Sequence, residues 1–264
     1  MKKIIFWLPF FLLLGILFLL PLKSYAQKQF DDYQYQYEKY LEFEKTYNEA
    51  KNKYFTYQTF NSEADFLTAG KKLLLSRALV TRTYLEFLQL EIRKAANILS
   101  DSRTNLILIL DSQINWLKSN EADIQSLEKP TVDDLLQLST RIESNAGQYY
   151  FSSYRVMANI MVGNVRSLQQ ESLAINLLLS DRIARGGYAK DSQTLNLWLE
   201  TVKEKLHTSQ QTLTQAEYYL SLIESGQTKD LQDSFSKMKL ALESTRIVLS
   251  QAIQSQKELY TEVQ

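Results

Sequence analysis

The sequence predicts an all-α protein, an elongated antiparallel bundle of about five long helices with coiled-coil-like packing. Three observations support this fold class. Only one proline and six glycines follow residue 26, so residues that interrupt helices are scarce. Leucine, glutamine, lysine, glutamate and alanine, which favour helices, are abundant. Apolar residues recur at intervals of three and four through most of the chain, which indicates helices with one buried stripe each.

The first 26 residues are predicted to be an export signal. Lysines follow Met1, Ile4 to Leu22 form an apolar run, and Ser24-Tyr25-Ala26 supplies small residues for a signal peptidase. Cleavage after Ala26 would leave Gln27 as the N-terminus. The alternative is an uncleaved anchor, because about 19 apolar residues just span a bilayer. Both interpretations place the remaining chain outside the cytoplasm, as a secreted, periplasmic or cell-surface protein. The leader resembles a bacterial one, and the absence of cysteine excludes a lipoprotein anchor.

Residues 27–264 are predicted to form a single domain, because no internal repeat and no Ser-, Gly- or Pro-rich linker divides them. Helices are expected near residues 28–60, 62–128, 131–185, 192–225 and 228–263. In the first helix, tyrosines recur every seven residues and define the buried stripe: Tyr33, Tyr40, Tyr47 and Tyr54. The strict alternation of tyrosine and glutamine at 33–37 has the period of a strand, but the sevenfold spacing favours a helix. Tyr35 lies off the stripe and is expected to face solvent.

The second helix is predicted to begin with Ser62 as its N-cap. Its apolar spacing continues across residues 100–102, which favours a continuous or mildly bent helix, with a break there as the alternative. The apolar run 106–110 could be a short strand, but the helical spacing on both sides favours a helix buried on more than one face.

Pro130 ends the second helix, and Thr131 with Asp134 forms a capping box that starts the third. The third helix has its expected kink at 145–147. If both helices are unbroken, their ends project as a hairpin around Pro130. If they break at 100–102 and 145–147, the projection folds back and the molecule is more compact.

The ends of the third and fourth helices carry clear stop signals. Gly186-Gly187 ends the third helix, and Gly226 ends the fourth, which begins near Ser192. The fourth and fifth helices have the clearest apolar stripes in the chain. They run through Leu195, Leu199, Val202, Leu206, Leu213, Ala216, Leu220 and Ile223, and through Leu231, Phe235, Met238, Leu242, Thr245, Leu249, Ala252, Leu259 and Val263.

Composition excludes several classes of function. The full chain has 30 basic and 30 acidic residues, and removing Lys2, Lys3 and Lys23 with the leader leaves 27 against 30, so nucleic-acid binding is not expected. Without cysteine there is no thiolate metal site, and with one histidine there is no histidine-based one. Phosphate-binding and nucleophile-elbow motifs are absent. No metal or cofactor is therefore expected.

Catalytic residues are not predicted either. The histidine, His207, would need a nucleophile such as Ser209, but residues two apart on a helix do not face each other. The acidic pairs Glu38/Glu42 and Asp133/Asp134 are better explained as a solvated helix surface and a first helical turn. We expect a protein that is not an enzyme.

The candidate contact residues are tyrosines. Tyr35 is expected to be exposed, and Tyr149, Tyr150 and Tyr154 form a second cluster near the predicted kink, where consecutive aromatic residues cannot all face one stripe. The function that the sequence favours is a scaffold, assembly or adhesion component that contacts an unknown protein or associates with itself, with residual apolar surface at 106–110 and 149–161. The alternative is a module that binds cell-wall glycan or another envelope polymer through exposed tyrosines. Membrane contact is expected only through an uncleaved N-terminal segment.

Overall fold

The computed structural model describes residues 24–186 and 191–263. Within these ranges the chain forms seven helices and no strand, which confirms the all-α class. The helices are α1 (Ser24–Tyr57), α2 (Phe60–Lys94), α3 (Ser100–Ser126), α4 (Val132–Ser144), α5 (Ala146–Arg185), α6 (Ser192–Ser225) and α7 (Leu231–Glu262). The predicted apolar leader, up to residue 23, and Gly187 lie outside the described residues. Ala26 and Gln27, which flank the predicted cleavage site, belong to the first turn of α1.

The helix predicted over 62–128 is two helices, so its predicted continuity across 100–102 is wrong. α2 ends at Lys94, α3 begins at Ser100, and Asn97 between them has a φ of 51°. Asparagine tolerates this left-handed conformation better than most residues. Arg103 stabilises the turn, because its Nη2 donates to the carbonyl oxygen of Ala95 at 2.6 Å. The chain therefore reverses direction, and α3 packs along α2.

The predicted hairpin that projects around Pro130 is not confirmed. α3 is packed along its length through Leu106, Leu110, Leu117 and Ile124, which are almost completely buried. The helix predicted over 131–185 divides at Asn145, within the predicted kink, into α4 and α5. Thr131 and Asp134 form the predicted capping box.

α1 and α2 form an antiparallel hairpin that is packed by aromatic rings. Tyr33 lies 5.3 Å from Tyr84 between ring centroids, and near the other end of the hairpin Tyr47 lies 5.5 Å from Phe66. The side chains of Tyr33 and Tyr40 are buried, as the sevenfold spacing predicts. The N-cap of α2 is Thr59 and not Ser62, which instead completes a capping box as the third helical residue.

α5 packs against helices that precede it in the chain, including α2 and α3, and against the helices that follow it, α6 and α7. In the first half of α5, Met157 Sδ accepts a hydrogen bond from the hydroxyl of Tyr84 on α2 at 3.5 Å. Tyr154, also in this half, packs against Phe235 of α7 with ring centroids 4.7 Å apart. The turn at 95–99 lies against α5 at Gly163, and Arg166 Nη1 donates to the carbonyl oxygen of Asn97 at 2.7 Å. Beyond that point α5 contacts α6, where Gln169 donates to the carbonyl oxygen of Leu206, and α7, where Gln256 donates to the carbonyl oxygen of Ser172. We call this three-helix part, residues 166–186, 191–213 and 247–263, the distal segment.

Candidate interaction surfaces

The described residues contain no cluster of side chains arranged to hold a metal ion. No group of three or more histidine, aspartate or glutamate side chains is arranged to hold a metal within 24–186 and 191–263. His207 is exposed on α6, where its Nε2 lies 3.1 Å from Gln211 Nε2. Ser209 is completely buried and donates to Gln169 Oε1 at 2.6 Å. The structure therefore does not bring the histidine and the serine together.

The tyrosine cluster at 149–154 is part of the core. Tyr149 and Tyr154 are 8% and 4% exposed, and the Tyr150 hydroxyl donates to the Tyr154 hydroxyl at 3.1 Å. Burial raises the pKa of both the Tyr149 and Tyr154 hydroxyls well above the ordinary value. The rings fill the junction of α3, α5 and α7, so they do not present the surface that the sequence predicted. Val156, Met157, Ala158 and Ile160 are buried as well, and Met161 is partly buried against the same core.

Tyr35 is exposed, as its position off the buried stripe predicts. Its side chain is 57% exposed on α1. The other strongly exposed tyrosines, Tyr57, Tyr218 and Tyr260, belong to three different helices or helix ends. The structure thus separates the tyrosines that the sequence grouped as a candidate surface.

Three aromatic side chains form an exposed tip at the turn between α1 and α2. Phe60 is 84% exposed, and Phe55 and Tyr57 are also largely in solvent. Behind them, Tyr54 stacks on Phe66 with ring centroids 5.2 Å apart. Tyr57 continues the spacing of the α1 stripe but remains exposed, because α1 ends there and no helix lies beyond it.

A groove of about 550 Å³ lies between α1, α2 and α4. Gly70 allows the close approach of α4, since a Cβ there would lie 2.8 Å from Leu135 Cδ1. The walls are mainly aromatic and aliphatic, with three side chains among them that are charged at neutral pH. The lining residues are Tyr40, Glu44, Tyr47, Phe66, Gly70, Leu73, Leu74, Arg77, Val132, Leu135, Leu136, Ser139, Glu143 and Ala146.

The core of the distal segment contains a polar layer. It consists of Gln169, Ser172 and Asn176 on α5, Ser209 on α6 and Gln256 on α7, all of them buried. Gln169 Nε2 donates to the carbonyl oxygen of Leu206 at 3.0 Å, and Gln256 Nε2 donates to that of Ser172 at 2.7 Å. Within the described residues, Asn176 Oδ1 and Gln256 Oε1 have no hydrogen-bond partner. Polar side chains in such positions lower stability but define which helices pack together.

Apolar side chains lie on the outside of the same segment. On α5, Leu177 and Leu178 are 72% and 69% exposed, and Leu168, Leu173 and Ile175 are each more than two-fifths exposed. On the neighbouring helices Leu197, Trp198, Ile247, Ile253 and Tyr260 are exposed as well. In a typical surface helix the apolar residues face the core and the polar ones face water. α5 departs from that pattern beyond Arg166. This departure could not be predicted from the sequence, because the alternation of polar and apolar residues in this part of α5 suits either face.

No helix among the described residues has the length and apolar character needed to cross a bilayer. Comparison of the chain with protein families, with curated proteins and with solved structures found no match in any of the three.

Proposed function

We propose that this chain is an exported, non-enzymatic helical protein that works through contact with another protein, as a scaffold, assembly or adhesion component. The observation that carries the proposal is the composition of the distal segment, where polar residues lie in the core and apolar residues lie in solvent. Contiguous exposed apolar surface of this kind is typical of interaction sites.

The apolar side chains include a continuous strip along the line where α5 and α7 meet. Leu168 and Ile175 share a face of α5 with Arg182, since the three are seven residues apart, and Arg182 Nε reaches the carbonyl oxygen of Val263 on α7. This face of α5 is therefore the one beside α7.

The matching edge of α7 is identified in the same way. Ser255 accepts a hydrogen bond from Lys205 of α6 at 2.8 Å, so the opposite edge of α7, which carries Ile253 and Tyr260, faces α5. We call Leu168, Ile175, Leu178, Ile253 and Tyr260 the apolar strip. A partner helix laid along it would complete a four-helix arrangement.

The strip is large enough to matter energetically. Its five side chains are 41–69% exposed, which leaves on the order of 400 Å² of apolar surface in water. At about 25 cal/mol per Å², covering it contributes roughly 10 kcal/mol before the entropic cost of association is subtracted.

The alternative, binding of a cell-wall polymer through exposed tyrosines, has less support, because the exposed tyrosines are dispersed over the molecule. It predicts retention of the protein on cell-wall material and loss of that retention when Tyr35 is replaced by Ala.

The proposal is tested by site-specific crosslinking from Ile175 and Ile253 in the exported chain, in the cells that make it. We expect one saturable adduct with a defined protein from each position, and Ile175→Glu is expected to abolish the adduct formed from position 253. Leu240→Glu, at an exposed position of α7 away from the strip, is the matched control and leaves the adduct unchanged. If both positions give only the uncrosslinked monomer at every expression level, the strip is not an interaction surface and the proposal is wrong.

A further inference from the structure

The groove between α1, α2 and α4 has an electrostatic property that the apolar strip lacks. Three side chains that are charged at neutral pH line it: Glu44, Arg77 and Glu143. Arg77 Nη1 pairs with Glu143 Oε1 at 2.9 Å. Glu44 accepts the hydroxyl of Tyr40 at 3.2 Å, and no cationic side chain of the described residues forms an ion pair with it. The charges of Glu44, Arg77 and Glu143 therefore sum to −1 among the lining residues.

Aromatic rings lie next to the Glu44 carboxylate. Tyr40 precedes Glu44 by four residues and Tyr47 follows it by three, so all three lie on one face of α1, and all three line the groove. The faces of tyrosine rings attract cations, and the attraction increases when the cation is partly removed from water. Beyond the rings the groove continues between aliphatic side chains of α2 and α4.

The size of the groove restricts the ligand. Small-molecule sites have volumes of about 300–1,000 Å³, and this groove has about 550 Å³. Two turns of a partner helix, with a diameter of 10–12 Å, would occupy about 1,000 Å³. The groove is thus suited to a small molecule and too small for a docked helix.

We propose that the groove binds a small organic cation with an aliphatic body. The ammonium group is placed at Glu44 between the rings of Tyr40 and Tyr47, and the aliphatic part lies against Leu136 and its neighbours on α4. A neutral molecule with the same body keeps the apolar contacts but does not neutralise Glu44. An anion with the same body is repelled by it.

The test uses three probes that share one aliphatic chain, hexyltrimethylammonium, hexanol and hexanesulfonate, titrated into the full exported chain by isothermal titration calorimetry. We expect the cation to bind about tenfold more tightly than the alcohol and the sulfonate not to bind. Glu44→Gln removes the charge at almost constant shape and is expected to weaken the cation about five- to tenfold while leaving the alcohol unchanged. Glu49→Gln, on the exposed face of the same helix, is the matched control and leaves all three affinities unchanged.

A second variant tests the location of the site independently. Leu136 is largely exposed at the groove, so Leu136→Arg is tolerated by the fold and places a cation in the site. It is expected to abolish binding of hexyltrimethylammonium. Equal affinities for the three probes, or equal effects of Glu44→Gln and Glu49→Gln, would overturn the proposal.

Discussion

Gly163→Ala is expected to destabilise the protein, although alanine is the better helix former. A Cβ at position 163 would lie far inside van der Waals contact with the carbonyl oxygen of Ala96, and 2.9 Å from Ile98 Cγ1. The obstacle is the backbone of the turn between α2 and α3, which Arg166 and Arg103 hold through hydrogen bonds to its carbonyl oxygens. The turn therefore cannot move aside as a flexible side chain would.

The magnitude follows from two opposing effects. Overpacking a tightly packed contact costs about 3 kcal/mol at the upper end of its usual range, and replacing glycine by alanine inside a helix returns about 1 kcal/mol. The free energy of unfolding is expected to fall by about 2 kcal/mol, which lowers the melting temperature by about 4–8 °C for a chain of this size. Gly147→Ala is the matched control on the same helix, because nothing lies within 4 Å of the position that its Cβ would occupy. That variant is expected to gain about 0.5 kcal/mol.

Urea unfolding of the exported chain, followed by circular dichroism, measures both changes. The two variants carry the same substitution on the same helix, so differences in helix propensity largely cancel, and the sign of the difference reports the contact with the turn. If Gly163→Ala is as stable as Gly147→Ala, the turn at 95–99 does not rest on α5 as described.

Three further predictions concern the core, the turn and alkaline pH. Asn176→Leu is expected to raise the free energy of unfolding by about 1–2 kcal/mol, because it removes a buried oxygen that has no hydrogen-bond partner. The control Asn48→Leu, at an exposed position, is expected to change the free energy of unfolding by only about a few tenths of a kcal/mol. Arg166→Ala should lower it by roughly 1–3 kcal/mol, because Glu217 and the carbonyl oxygen of Asn97 lose their hydrogen-bond donor, while Arg246→Ala on the surface changes it by less than about 0.5 kcal/mol. Burial, with Glu44 as the next cause, raises the pKa of Tyr40 to about 12. The contribution of this buried hydroxyl to stability is complete below its pKa in the unfolded chain, near 10, and is lost as the pH rises through 12. Melting curves at several pH values, combined with tyrosinate absorbance, measure this loss.

The helices and their buried stripes could be predicted because they depend on local spacing. Leu195 to Ile223 and Phe235 to Leu259 are buried as the stripes of α6 and α7 predict. The capping box at Thr131 and the glycine stop at Gly226, whose φ is 68°, are also local signals. Each depends on a few neighbouring residues, so the sequence contains all the information that is needed.

The break between α2 and α3 could not be predicted from apolar spacing, because the apolar residues keep the helical interval on both sides of the break and within it. Ala95 and Ile98 are buried although they lie in the turn, and Leu99 keeps the helical interval yet is 70% exposed. The available signal was Asn97, a residue type that adopts left-handed backbone more readily than most. One asparagine in a polar–apolar sequence is a weak signal, and the contact of the turn with Gly163 is 66 positions away in the chain.

The candidate surfaces depend on which helices end first, which local spacing does not reveal. Tyr149 and Tyr154 had the aromatic density expected of a contact site, but α5 passes there between other helices and the rings are covered. The residues from Leu168 to Leu178 are rich in leucine and isoleucine, but α2 and α3 end before reaching them, so these side chains are not covered. The groove likewise requires α4 to fold back onto α1 and α2, which followed only from the alternative in which both predicted long helices break.

The polar layer divides the apolar core into two clusters of unequal size. The smaller contains Leu179, Ile183, Leu195, Leu199, Leu259 and Val263, at the far end of the distal segment. Opening of this end exposes only six apolar side chains and leaves the larger cluster intact, so it requires much less free energy than global unfolding. Amide hydrogens there should exchange first, through a separate sub-global opening. A partner bound along α5 and α7 would then be detected as slower exchange in this end and unchanged exchange at the α1–α2 hairpin.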